Sequence, residues 1–145
     1  MAQDYTIDYY LKTAWQSVAN AYNQEASKFG ITQASGYVLI NILKEGTAVS
    51  QIANLLGVRS TSLSRILSSL EKQGLIYREA DAFDKRSVKV FLTDLGVEKR
   101  VLAVHVVKDF NEYLVQNFSE RERVRLAETL QKINKLAQQY ALEKK

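Results

Sequence analysis

Apolar residues recur at spacings of three and four through most of the chain, which predicts long helices at both ends and shorter ones between them. From Tyr5 to Phe29, the residues Ile7, Leu11, Ala14, Trp15, Val18, Tyr22, Ala26 and Phe29 fall on one helical face, and Gly30 closes the run. Thr32 caps a second helix expected to reach Leu43, with Tyr37, Val38, Ile40 and Leu43 turned inward and Gly46 beyond it. A short third helix over about Val49–Leu56 carries Ile52, Leu55 and Leu56 and stops at Gly57. The fourth begins near Ser60, buries Leu63, Ile66, Leu67 and Leu70, and stops at Gly74. Proline is absent, so glycines and caps alone mark these ends.

The period then falls to two. Leu75–Arg78 and Ser87–Leu92 are β-branched or aromatic and partly alternating, as strands are, and the polar run Glu79–Arg86 between them is expected to be a hairpin tip. Thr93 and Asp94 open a helix running to about Phe118, with the acid near its positive end. Ser119 and Glu122 have capping-box spacing ahead of a last helix bearing Val124, Leu130, Ile133, Leu136 and Tyr140. The expected fold is therefore mainly α with a small β-hairpin wing: a winged helix-turn-helix over residues 31–93, flanked by long helices in 1–30 and 94–145, all in one compact unit.

The fourth helix carries the chemistry. Its outward positions are Ser60, Thr61, Ser62, Ser64, Arg65 and Ser68, with Arg59 just before it. A helix that only faces solvent is better built from Glu and Lys, which are stronger helix formers than Ser and Thr. A helix that lies in a major groove gains from short hydroxyl side chains, which let the backbone approach, and from arginine, which bonds guanine at two atoms. Between Gly57 and Thr93 there are seven basic and four acidic residues, a net +3 in a chain whose total is +4. Charge concentrated in this way suits phosphate neutralisation. At the hairpin tip, Asp84, Lys85 and Arg86 sit where a wing reaches a neighbouring minor groove, and a narrow groove attracts an inserted arginine. Asp84 also has the option of pairing locally and stiffening the loop.

Other chemistries are limited by what is missing. With no cysteine there is no disulfide, thiol switch or thiolate metal site, and a lone histidine, His105, cannot build a zinc site. No nucleophile–base constellation or glycine-rich phosphate loop is visible, so neither an enzyme nor a cofactor is expected. The start of the chain lacks a basic region followed by an apolar run, and no stretch approaches roughly 18 uncharged apolar residues, so a cytoplasmic protein without membrane contact is expected. A winged-helix module that binds protein instead of DNA is the alternative, and it has no use for Arg65 or Arg86.

The stretch from Ile31 to about Gly96 resembles the MarR family of bacterial winged-helix regulators. The features that carry the likeness are Ile31-Thr32-Gln33 with Tyr37-Val38-Leu39, Val49-Ser50-Gln51-Ile52-Ala53, and Ser64-Arg65-Ile66-Leu67 running into Leu70-Glu71-Lys72-Gln73-Gly74-Leu75-Ile76. The most specific is Asp84-Lys85-Arg86 followed by Val90-Phe91-Leu92-Thr93-Asp94-Leu95-Gly96, like the family's Asp-x-Arg wing and its Leu-Thr-x-x-Gly. The proline common near the start of the second helix is missing. The resemblance implies a homodimer built by the terminal helices, whose apolar faces (Ile7, Leu11 and Trp15 at one end) look surplus to a winged-helix core. It implies a pseudo-palindromic double-stranded DNA site, with repression expected over activation. It also implies release by a small aromatic or anionic effector, for which Tyr9, Tyr10, Trp15, Tyr37 and His105 are the candidate pocket residues.

Overall fold

The computed structural model describes residues 4–84 and 86–144, and the Ser60 side chain lies outside what is described. The order is α1 (Ile7–Ser27), α2 (Gln33–Ile40), β1 (Thr47–Ala48), α3 (Val49–Leu56), α4 (Ser60–Lys72), β2 (Ile76–Ala80), β3 (Val88–Leu92), α5 (Asp94–Gln116) and α6 (Glu120–Glu143). The chain divides into two compact units, Met1–Val107 and Lys108–Lys145, so the division falls inside α5 rather than at the ends of elements.

In the first unit, the winged helix-turn-helix is built around a core of Val38, Leu39, Ile42, Ile52, Leu63, Leu67, Leu70, Leu75, Ile76 and Val90, all buried. Gly57 ends α3 in the left-handed region (φ +61°), where any other residue would be strained, and so sets the turn into α4. The sheet is antiparallel in the order β1-β3-β2. Its hairpin pairs Ile76 with Leu92 and Tyr77 with Phe91, whose rings stack at 5.2 Å. Strand β1 was not expected. At two residues it has no alternation to read, and it exists because Thr47 and Ala48 pair with Val90 and Lys89 of β3.

Helix α2 also stops three residues short of the expected Leu43. Thr32 and Ser35 form its capping box at one end. At the other, Arg100 donates from Nε (3.3 Å) and Nη2 (3.1 Å) to the Ile40 carbonyl, which satisfies the helix end where it lies. Leu43 therefore lies beyond the helix and is exposed, and Tyr37 is exposed too, because Val38 and Leu39 take the inward face. Leu55 is likewise exposed, since Ile52 alone is buried on α3. Lys99 donates to the Phe29 carbonyl at the end of α1, so two adjacent cations of α5 close two helix ends.

The start of α5 is joined to the end of the reading segment. The Thr93 hydroxyl donates to the Gly74 carbonyl (2.6 Å) and accepts from Gly96 N (3.0 Å), while Thr93 N donates to the Leu75 carbonyl (3.0 Å). In the second unit, the expected capping box is present at 3.1 Å in both directions between Ser119 and Glu122. Helix α6 has no buried residue, and Val124, Leu130, Leu136 and Tyr140 are exposed along it. No helix among the described residues is long and apolar enough to cross a membrane.

Candidate nucleic-acid interface

Helix α4 is two-faced. Leu63, Leu67 and Leu70 recur at four and three residues and are fully buried, with Ile66 half-buried beside them. A helix pinned along that stripe must turn the opposite side outward. There lie Thr61, Ser64, Arg65 and Ser68, all exposed, with Ser62 to one side and Arg59 at the N-cap. The stripe continues to Lys72, a cation one turn beyond Ser68 that sequence reasoning counted in the charge but did not place in the site. Its spacing from Arg65 and Ser68 was the available signal. Ser64, Arg65, Ser68, Ser69 and Lys72 line one shallow open concavity.

The wing is tied to this helix by a residue that the sequence did not single out. Arg78, on β2, donates from Nη2 to the Ser68 hydroxyl (3.2 Å), and its Nε stands 3.3 Å from Glu71 Oε2 without the alignment of a hydrogen bond. Ser68 keeps its own proton for an outside acceptor, so the bond to Arg78 fixes the side chain without exhausting it.

At the hairpin tip, acids hold the backbone. Asp81 Oδ1 accepts from Phe83 N (2.8 Å) and Asp84 N (3.4 Å), and Asp84 Oδ1 accepts from Arg86 N (3.1 Å). These bonds to the charged form, that from Phe83 above all, hold the Asp81 carboxyl below the usual range, with Lys89 adding to the effect against some desolvation. Asp84 is thus a loop-holding residue, while the exposed Arg86 lines a concavity with Ser50 of α3, Arg78 and Glu79. Lys85 lies outside the described residues.

The effector candidates do not gather at one place. A partly open concavity of the first unit is walled by Tyr22 and Ala26 of α1, Gly36, Tyr37 and Ile40 of α2, and Ala103 of α5, among others. Of the five candidates only Tyr37 lines it. Trp15 and Tyr37 border a second hollow with Leu55 and Val58. Tyr9 and Tyr10 lie with Tyr5 in an exposed aromatic cluster, and His105 is exposed on α5. Tyr22 was read from the sequence as a helix-face residue; burial, and then Tyr37 nearby, raises its pKa, so its hydroxyl stays protonated. Among the described residues no cluster of His, Asp or Glu is placed to hold a metal ion.

A family model described as MarR family matches residues 29–87. The HTH-type transcriptional regulator YxaD of Bacillus subtilis is 32% identical over 117 residues, 78% of this chain and 80% of that protein. The regulator PecS of Dickeya dadantii is 28% identical over 124 residues, 81% of this chain and 74% of that one. Among solved structures, S. aureus MepR in complex with DNA superposes with a TM-score of 0.83 at 25% identity, covering 91% of this chain and 98% of that one. A mutant of MarR from E. coli complexed with operator DNA gives 0.79 at 26% identity, covering 88% and 92%.

Proposed function

The chain belongs to the MarR family and is a DNA-binding transcriptional regulator rather than an enzyme, and from that premise we propose that it is a homodimeric repressor of a pseudo-palindromic operator. The observation that carries this reading is the uncovered stripe Thr61–Ser64–Arg65–Ser68 on a helix whose other side is locked into the core. In this reading Arg65 pairs with a base edge in the major groove, and Arg59, Thr61 and Ser64 anchor phosphates or read beside it. Arg86, with Lys85, holds the adjacent minor groove. Two copies related by a twofold axis would set two such helices about one DNA turn apart. The exposed apolar faces of α1 and of α6 each supply surface for that association.

The concavity of Tyr22 and Tyr37 suits a small aromatic effector. It is mostly apolar, and Tyr22 and Tyr37 give it aromatic walls. Such a ligand would lower DNA affinity if it favoured the arrangement of α1, α2 and α5 that suits the groove less.

The test is selection of bound duplexes from random DNA, followed by titration over a range of salt. Affinity should fall steeply with salt, Arg65→Ala should relax preference at one base pair, and Lys85→Ala should weaken all sequences about equally while reducing the salt slope by about one. Simple aromatic carboxylates should then release the selected duplex. Wild-type protein that recovers no duplex, or binding that ignores both substitutions, would overturn the assignment.

A further inference from the structure

Phe83 is the one feature of the reading surface that phosphate and base-edge contacts leave unused. It is 100% exposed, whereas the next most exposed large apolar side chain among the described residues, Leu142, is 70% exposed. It stands at the middle of the β2–β3 tip, in a run that is otherwise small or charged (Glu79-Ala80-Asp81-Ala82-Phe83-Asp84-Lys85-Arg86). The backbone beneath it is held in place. Its own N–H and that of Asp84 converge on Asp81 Oδ1, the Arg86 N–H is taken by Asp84 Oδ1, and Asp81 N and Ser87 N bond across the tip to the carbonyls of Ser87 (2.8 Å) and Asp84 (2.9 Å). The fold therefore presents a bare phenyl ring on an ordered support, three residues from an exposed arginine.

We propose that Phe83 is an apolar wedge of the wing, seated in the minor groove of bound duplex DNA against sugars and base edges and partly unstacking one flexible base step. The inference rests on the DNA-binding reading above and adds to it a contact that is neither ionic nor hydrogen-bonded. Proteins that enter the minor groove set cations on the phosphates and an apolar side chain between base steps, and the bend that follows brings more surface together. Here the cation is Arg86; the tip's own acids Asp81 and Asp84 are turned to its backbone N–H groups, and the stretch 57–93 as a whole carries +3 of the chain's +4, so a neighbouring polyanion is the occupant that complements it. Pyrimidine–purine steps unstack most easily, so Phe83 would select for such a step beneath the wing without any hydrogen bond to it.

The experiment compares wild-type protein, Phe83→Ala, Phe83→Leu and Arg86→Ala on the duplex recovered by selection from random DNA, unlabelled and with 2-aminopurine placed at each step under the wing. Phe83→Ala should bind about tenfold more weakly with an unchanged salt slope, since it removes apolar burial and no charge. It should lose both the 2-aminopurine fluorescence rise and the preference for a flexible step. Phe83→Leu should keep part of each, and Arg86→Ala should instead lower the salt slope by about one. Both Phe83 variants should unfold at the wild-type temperature, because the ring is fully exposed in the free protein. Wild-type affinity and fluorescence in Phe83→Ala would overturn the proposal and leave the DNA reading standing, as would a variant that loses only the capture of another protein. A wild-type chain that binds no duplex would instead remove the DNA reading itself, and the wedge with it.

Discussion

Gly96 lies where the first turn of α5 passes the carbonyl of Leu75, and a Cβ built there would stand 1.9 Å from that oxygen. Backbone cannot yield as a side-chain tip can, so Gly96→Ala should cost about 3 kcal/mol and appear as a lower midpoint in chemical denaturation. An alanine variant of wild-type stability would show that α5 shifts freely. A second residue-scale prediction concerns Asp81. Its carboxyl titrates lower in the folded chain than in the unfolded one, so its bonds to Phe83 N and Asp84 N are intact above the ordinary aspartate range and are lost as pH falls through the depressed folded value. The amide resonances of Phe83 and Asp84 should therefore move together in acid with a midpoint below that of an unperturbed aspartate, and Asp81→Asn should abolish the transition. A midpoint at the ordinary value would contradict this account. Asp84 was legible in the sequence because its spacing to Arg86 belongs to a recognisable pattern, whereas Asp81 was only one acid among four. What distinguishes Asp81 is the turn of the backbone that aims two N–H groups at it.

Between elements, the joint that matters most to the reading surface is Arg78. It takes its hold from β2 and reaches Ser68 and Glu71 on α4, so it sets the position of the wing strand against the helix. Replacing it with glutamine should lower thermal stability by about 1 kcal/mol and DNA affinity several-fold. The salt slope should stay as it was, because Arg78 positions other groups and neutralises no phosphate in this reading. A reduced slope would make it a direct contact. The existence and order of the helices and of the hairpin could be read from the sequence because their periods are long and regular. Three features could not. Strand β1 is made only by pairing with β3, the end of α2 is fixed by Arg100 from sixty residues away, and the Arg78–Ser68 bond spans two elements. Each depends on a distant partner, which local pattern does not encode. For the same reason Tyr22 was overlooked as a pocket residue, since its position on α1 fits a helix face and only packing reveals the hollow beside it.

At the scale of the molecule, Ile7, Leu11 and Trp15 on α1, and Val124, Leu130 and Leu136 on α6, leave apolar surface open on each compact unit. Association of two chains through these faces predicts that Trp15→Glu combined with Leu130→Glu gives a single chain by sedimentation. Its affinity for the selected duplex should fall about a hundredfold, because two linked reading helices bind with far higher effective concentration than one. A double variant that still sediments as two chains would place the contact elsewhere. The Thr93 junction then acquires a meaning for such an assembly. Since one threonine fastens the carbonyls of Gly74 and Leu75 to the opening turn of α5, the segment leaving the reading helix and the long helix that follows cannot be reoriented separately. In the proposed dimer, a tilt of α5 at its root would swing α4 with it, and the spacing of operator halves that the protein accepts would be governed from inside the protein.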